Sequence, residues 1–128
     1  MIRDRLVYPG NSAADAYLRA GRNLLAAQVG EESSRSEWLQ AVDRDDKRNG
    51  FYGSAEARQR AEGRYDAHRH QLVAARRLEG RTKKAATEFV EQADGPASRS
   101  SRLAALALVE GELIAVWADY YDLINSRP

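Results

Sequence analysis

Asn49-Gly50-Phe51-Tyr52-Gly53 is the stretch whose reading decides the fold. Asn and Gly accept positive φ, so these residues read as a turn. Long stretches with apolar residues at helical intervals lie on both sides, and neither contains proline. A short turn between two long helices makes them antiparallel neighbours. Residues then face each other when their numbers add to about 100. Ser54, just after the turn, offers a cap for the helix that follows.

Upstream, a helix is expected from Ala13 to Lys47. Its apolar pairs recur every seven residues: Tyr17/Leu18, Leu24/Leu25, then Trp38/Leu39 with Val42. The pair expected between them is Glu31/Glu32. Either the helix breaks near Gly30 and restarts with Ser34 as cap and Glu37 reaching back, or it is continuous with a polar layer in its seam. The unbroken phase across the gap favours continuity. Ahead of this helix, residues 1–11 read as an arm: Leu6-Val7-Tyr8 is a short apolar patch stopped by Pro9-Gly10. Ser12 offers the N-cap, and Asp15 sits where the helix dipole favours an anion.

Downstream, a second helix is expected from Ser54 to Ala93. Its stripe is Tyr65, His68, Leu72, Ala75, Glu79, Thr82, Ala86, Phe89 and Ala93. The alternating steps of three and four are those of a heptad seam, here thin and partly polar. Asp94-Gly95-Pro96 stops it. Ser98 or Ser100 then caps a third helix carrying Leu103, Leu106, Ala107, Leu113, Ile114, Trp117, Tyr120, Tyr121 and Ile124. So wide a stripe predicts the central core helix. The expected architecture is all-α: an antiparallel three-helix bundle with long first and second helices. The arm is residues 1–11, and residues 12–128 form one domain. The apolar surface exceeds what three helices cover, so self-association is expected, with a dimer as the default.

Composition narrows the classes further. Without Cys, disulfides and thiolate zinc sites are excluded. No apolar run approaches the roughly 20 residues of a membrane span, so no membrane partner is expected. A cytoplasmic location is expected. Basic residues number 20 and acidic ones 19, so bulk charge names no partner.

One level of the expected bundle is polar. Folding at Gly50 sets Glu31/Glu32 opposite His68/Arg69, with Arg64 one turn away, and Trp38 opposite Gly63. Folding again at Gly95-Pro96 sets His70 opposite Asp122. Glu31, Glu32, His68 and Asp122 therefore read as a polar layer, of the kind that fixes register at some cost in stability. Asp66 and His70 stand four apart, a chelating spacing, but the Glu-x-x-His pairs of ferritin-like carboxylate proteins are absent. Neither a metal nor a cofactor is expected.

Arg64-Tyr65-Asp66-Ala67-His68-Arg69-His70 places an Arg and a His with five residues between them. This resembles the Arg-x4-6-His signature of HEPN-type helical ribonucleases. The resemblance implies an all-α, usually dimeric protein that cleaves RNA through its own 2′-OH. The catalytic candidates would be Arg64 and His70. Arg steadies phosphate charge and His titrates near neutrality. Glu88-x-x-Glu91 with Asp119-x-x-Asp122 resembles the acidic motifs of MazG-like all-α pyrophosphatases, though the second motif has Asp where that family has Glu. Basic residues also crowd the stretch 58–84. Arg69, Arg76 and Lys83 recur at seven, and Arg77, Arg81 and Lys84 form a second row, a pattern suited to a phosphate backbone. The reading favoured by sequence is a non-catalytic helical interaction module, self-associating, that serves as a subunit or adaptor for a protein partner. The alternative is a nucleic-acid-directed protein using the basic face, of which a HEPN-like ribonuclease is one form.

Overall fold

The computed structural model describes residues 8, 10–48 and 53–126. Among them are three helices and no strand: α1 (Ser12–Arg48), α2 (Ser54–Glu91) and α3 (Pro96–Asn125). Of the expected turn at 49–53, residues 49–52 lie outside the described residues, as does the Leu6-Val7 patch. α1 runs through Gly30 without a break. α2 ends at Glu91, earlier than expected, with Gln92 and Ala93 closing tightly onto Glu88 and Val90.

The helix ends correct three expected caps. Asn11, not Ser12, caps α1: its side-chain oxygen accepts the Ala14 N–H at 3.0 Å. The reach from Ncap to the third helical residue is the usual one, and Asn is among the strongest caps. Gly53, with φ +86, leads into α2, so Ser54 is already its first residue. The Ser54 hydroxyl donates to Asp45 at 2.8 Å. Neither Ser98 nor Ser100 opens α3. Gly95 stands at its N-cap in extended backbone and Pro96 is its first residue. Proline is at home there, because its missing N–H is one the first turn leaves unbonded anyway.

Contacts divide the chain into two compact units. The first comprises Met1–Asn23 and Arg77–Pro128. Its core is Ala14, Tyr17 and Leu18 from α1, Ala86 and Val90 from α2, and Leu106, Val109 and Leu113 from α3. Leu18 and Val109 are buried almost completely. Gly21 leaves room for Leu113, whose methyls would lie 2.5 Å from any Cβ added there. Arg22 and Glu112 pair across the same two helices. On the other side, Arg102 donates to the Phe89 carbonyl at 2.7 Å and lies over its ring, and Arg99 pairs with Glu91 at 3.2 Å.

The second unit, Leu24–Arg76, is a helical hairpin. Partner numbers on α2 fall as those on α1 rise: His68 against Gly30, Arg64 with Glu37, Arg58 with Asp45. These pairs are consistent with the antiparallel register read from the turn. Trp38, however, stacks on Tyr65 with ring centres 5.4 Å apart instead of filling a gap at Gly63. Gly63 has open space around it. The small residues that let the helices approach are Ala41 and Ala61, both buried.

Along α2, every member of the stripe from Tyr65 to Ala93 is buried or half-buried. The expectation for α3 needs correcting. It is not a central helix covered on all sides. It buries Leu106, Val109 and Leu113, and leaves Leu103, Leu108, Ile114, Tyr121 and Leu123 exposed. No helix among the described residues is long and apolar enough to cross a membrane.

Candidate functional site: an unpartnered helix face

Of the expected polar layer, Glu31, Glu32 and His68 fall within the hairpin unit. Glu31 is 7% exposed, in the seam position that its heptad phase predicts. Its nearest basic group is Arg35, at 3.9 Å one turn along. Ser34, also buried, donates to the Glu31 carbonyl at 3.0 Å. Glu32 accepts from Gln28 at 3.0 Å. The His68 ring lies against Gly30: its Nδ1 would stand 2.8 Å from any Cβ there. Sequence reading treated Gly30 as a possible helix break; it is the notch that admits His68. Asp122 belongs to the other unit and is exposed. No group of three or more His, Asp and Glu among the described residues is placed to hold a metal ion.

Arg64 and His70 are both exposed. Arg64 pairs with Glu37 at 3.5 Å. His70 holds the Asp66 carbonyl through Nδ1 at 2.8 Å. Six residues along a helix turn the direction by about 120°, so the two side chains leave α2 on different faces. Glu88, Glu91 and Asp119 are likewise exposed, and Glu91 is engaged by Arg99.

All six basic candidates are exposed. In the hairpin unit, Arg69 lies over the Tyr65 ring at 5.4 Å and pairs with Asp66, while Arg76 closes the unit's sequence. Arg77, Arg81, Lys83 and Lys84 belong to the three-helix unit. Sequence reading missed a further basic feature in the hairpin. Arg44, Arg60 and Arg64, together with Glu37, which pairs with Arg64, line an open cleft of about 310 Å³ with Ala41, Ala57 and Ala61. Only knowledge of the α1–α2 register assembles it, since Arg44 lies on the other helix.

A second open cleft, of about 470 Å³, lies in the three-helix unit against Tyr8, Asn11, Phe89 and Arg102. Its wall is fixed by the chain entering α1. The Tyr8 N–H donates to both carboxylate oxygens of Asp15, at 3.2 and 3.3 Å, and Asp15 is buried. Asp15 therefore anchors the incoming chain as well as facing the helix dipole. Burial pushes the Tyr8 phenol above its ordinary pKa, helped by Glu112 and Asp15 and opposed by Arg22. Tyr17 is raised for the same first reason, with Glu79 and Glu110 adding to it.

The feature that stands out chemically is the outward side of α3. Helical periodicity puts Leu103, Ala104, Ala107, Leu108, Gly111, Ile114, Ala115, Ala118 and Tyr121 on the side away from Leu106, Val109 and Leu113. Every one of these nine is exposed. Leu108 and Ile114 are the most open of the large ones, at 63% and 70%. Between Leu103 and Ala118 the charged residues are Glu110 and Glu112, both half-buried at the margins. Between Leu103 and Ala118, α3 is thus apolar on its outward as well as its inward side, yet within this chain only the inward side is covered. No family model, no curated protein and no solved structure matches the chain.

Proposed function

We propose that this protein is a non-catalytic helical interaction module, a subunit or adaptor that docks a protein partner on the outward face of α3. The observation that carries this reading is the exposure of Leu103, Leu108, Ile114 and Tyr121 along one continuous face without a charge at its centre. Single exposed apolar residues are ordinary; a contiguous row of them marks a place where something binds. The remainder of the chain serves as the scaffold. In this reading it is an antiparallel three-helix bundle with long first and second helices and a short arm, the buried Glu31 level fixing its register.

The test is recovery of the native protein from its own cells under gentle conditions, with its mass measured. Expected is an assembly heavier than one chain. Leu108→Asp with Ile114→Asp should release the chain as a free species while helix content stays unchanged, because neither residue packs in the core. A double variant that stays in the heavy species, or a native chain that is always free, contradicts the reading.

A nucleic-acid-directed role has one observation in its favour: Arg44, Arg60 and Arg64 converge on one cleft. Affinity for RNA that fell by orders of magnitude between about 50 and 200 mM salt, and fell further in Arg60→Ala, would support it. RNA cleavage lost in both Arg64→Ala and His70→Ala would support the ribonuclease form. Salt-independent retention, or no cleavage, speaks against them.

A further inference from the structure

The outward face of α3 reads almost the same in both directions about Gly111. Outward from that residue, with Glu110 and Glu112 at the margins, the exposed positions are Leu108 and Ile114, Ala107 and Ala115, and then Ala104 and Ala118. In an antiparallel pair of such helices related by a two-fold axis at Gly111, each residue stands level with the one equally far on the other side of Gly111 in the second copy. At about 100° per residue, Leu108 leans to one margin of the face and Ile114 to the other. Leu108 then lies on the second copy's Ala115, Ile114 on its Ala107, and Leu103 beside its Ala118 and Tyr121. Large side chains meet small ones throughout, and the two backbones come closest at Gly111. In the single chain, nothing lies within 4 Å of where a Gly111 Cβ would be.

The charges point the same way. Asp119 and Asp122 sit toward the C-terminal end of α3, where the helix dipole is negative, and no basic residue occupies the last turn. The first turn has no acid, and Gly95 provides no side-chain cap, so the N–H groups of that turn lack one. Both choices oppose what a lone helix favours. An antiparallel second copy reverses the penalty. The carboxylate of Asp122 comes level with Ser100, next to the uncapped first turn of the other α3, and that of Asp119 with Leu103. Glu110 and Glu112 stay at the margins, Glu112 already held by Arg22.

We infer that the occupant of this face is a second copy of the same chain, paired antiparallel through α3 about a two-fold axis at Gly111. The inference rests on the interaction reading above and names its partner. A single helix pair buries less than the roughly 1,600 Å² of a standard interface. The dimer is therefore expected to dissociate with a Kd on the order of micromolar.

Two experiments on the purified full chain test it. Sedimentation of the wild type across concentrations spanning micromolar should show a monomer–dimer equilibrium. Leu108→Asp/Ile114→Asp and Gly111→Leu should each raise Kd at least about tenfold. Gly111→Leu meets only open space in the isolated chain, so its effect reports the second copy. Circular dichroism confirms that each variant folds. The chain has no cysteine, so an introduced one is unique. Mixing Ala104→Cys with Ala118→Cys under mild oxidation should give the cross-linked mixed dimer, while neither variant alone links to itself. A chain monomeric at every concentration, a dimer indifferent to these substitutions, or self-linking of Ala104→Cys as fast as the mixture would overturn the inference. The first of these results, combined with release of the Leu108→Asp/Ile114→Asp chain from a heavier native species, leaves the interaction reading standing with a different protein as partner.

Discussion

Gly21 and Gly63 look alike in the sequence, each a helix-weakening glycine inside a periodic stretch. Gly21 is buried under Leu113, whereas Gly63 is exposed with nothing near it. Gly63→Ala should therefore gain up to about 1 kcal/mol from helix propensity alone. Gly21→Val should lose about 1–3 kcal/mol, since Leu113 must leave a packed position to admit it. Urea unfolding of the two variants measures both. A second single-residue effect concerns Tyr17, whose phenol burial raises above the ordinary 10.0. Above that pH the unfolded chain releases the proton while the folded chain keeps it, so folding holds more protons and stability falls as pH rises. The contribution is complete below about 10 and is lost as pH climbs through the raised value. Tyr17→Phe removes the titration, so its stability should decline less steeply above pH 10 than that of the wild type. Parallel slopes would contradict the buried, protonated phenol.

Among the helices, α2 was the most legible: its stripe from Tyr65 to Ala93 is covered along its whole length, because the step of three and four is a direct image of helix geometry. The continuity of α1 through Gly30 was legible for the same reason. The caps were not. Asn11 and Ser12 are neighbours of nearly equal capping strength, and only the backbone conformation chooses between them. The Arg44–Arg60–Arg64 cleft was hidden because its members belong to different helices. For α3, the sequence shows how much apolar surface exists but not which side its own chain covers. The buried polar position in α1 was legible as a gap in the heptad phase, and it carries a prediction. Glu31 is buried, while its partner Arg35 is half-exposed and can return to water. Glu31→Met should leave stability unchanged or raise it by about 1–2 kcal/mol, as replacement of buried charge by apolar bulk often does. A loss of several kcal/mol on urea unfolding would mean that the carboxylate makes a stronger contact than the Arg35 pair suggests.

For the molecule as a whole, the two sides of α3 make opposite statements. Leu106, Val109 and Leu113 hold the three-helix unit together; Leu103, Leu108 and Ile114 lie exposed outside its core, and Tyr121, also exposed, packs against Trp117 and Tyr120 of its own helix. Contiguous exposed apolar rows of this kind are uncommon on monomeric proteins, and in the proposed reading a partner covers this one. The most direct measurement is covalent solvent labelling of Leu108 and Ile114, compared between the protein inside its own cell extract and the purified chain at nanomolar dilution. The account predicts strong protection of both residues in the extract and full labelling on dilution, with Leu106 and Val109 protected in both. Equal labelling of Leu108 and Ile114 in the two conditions would contradict it.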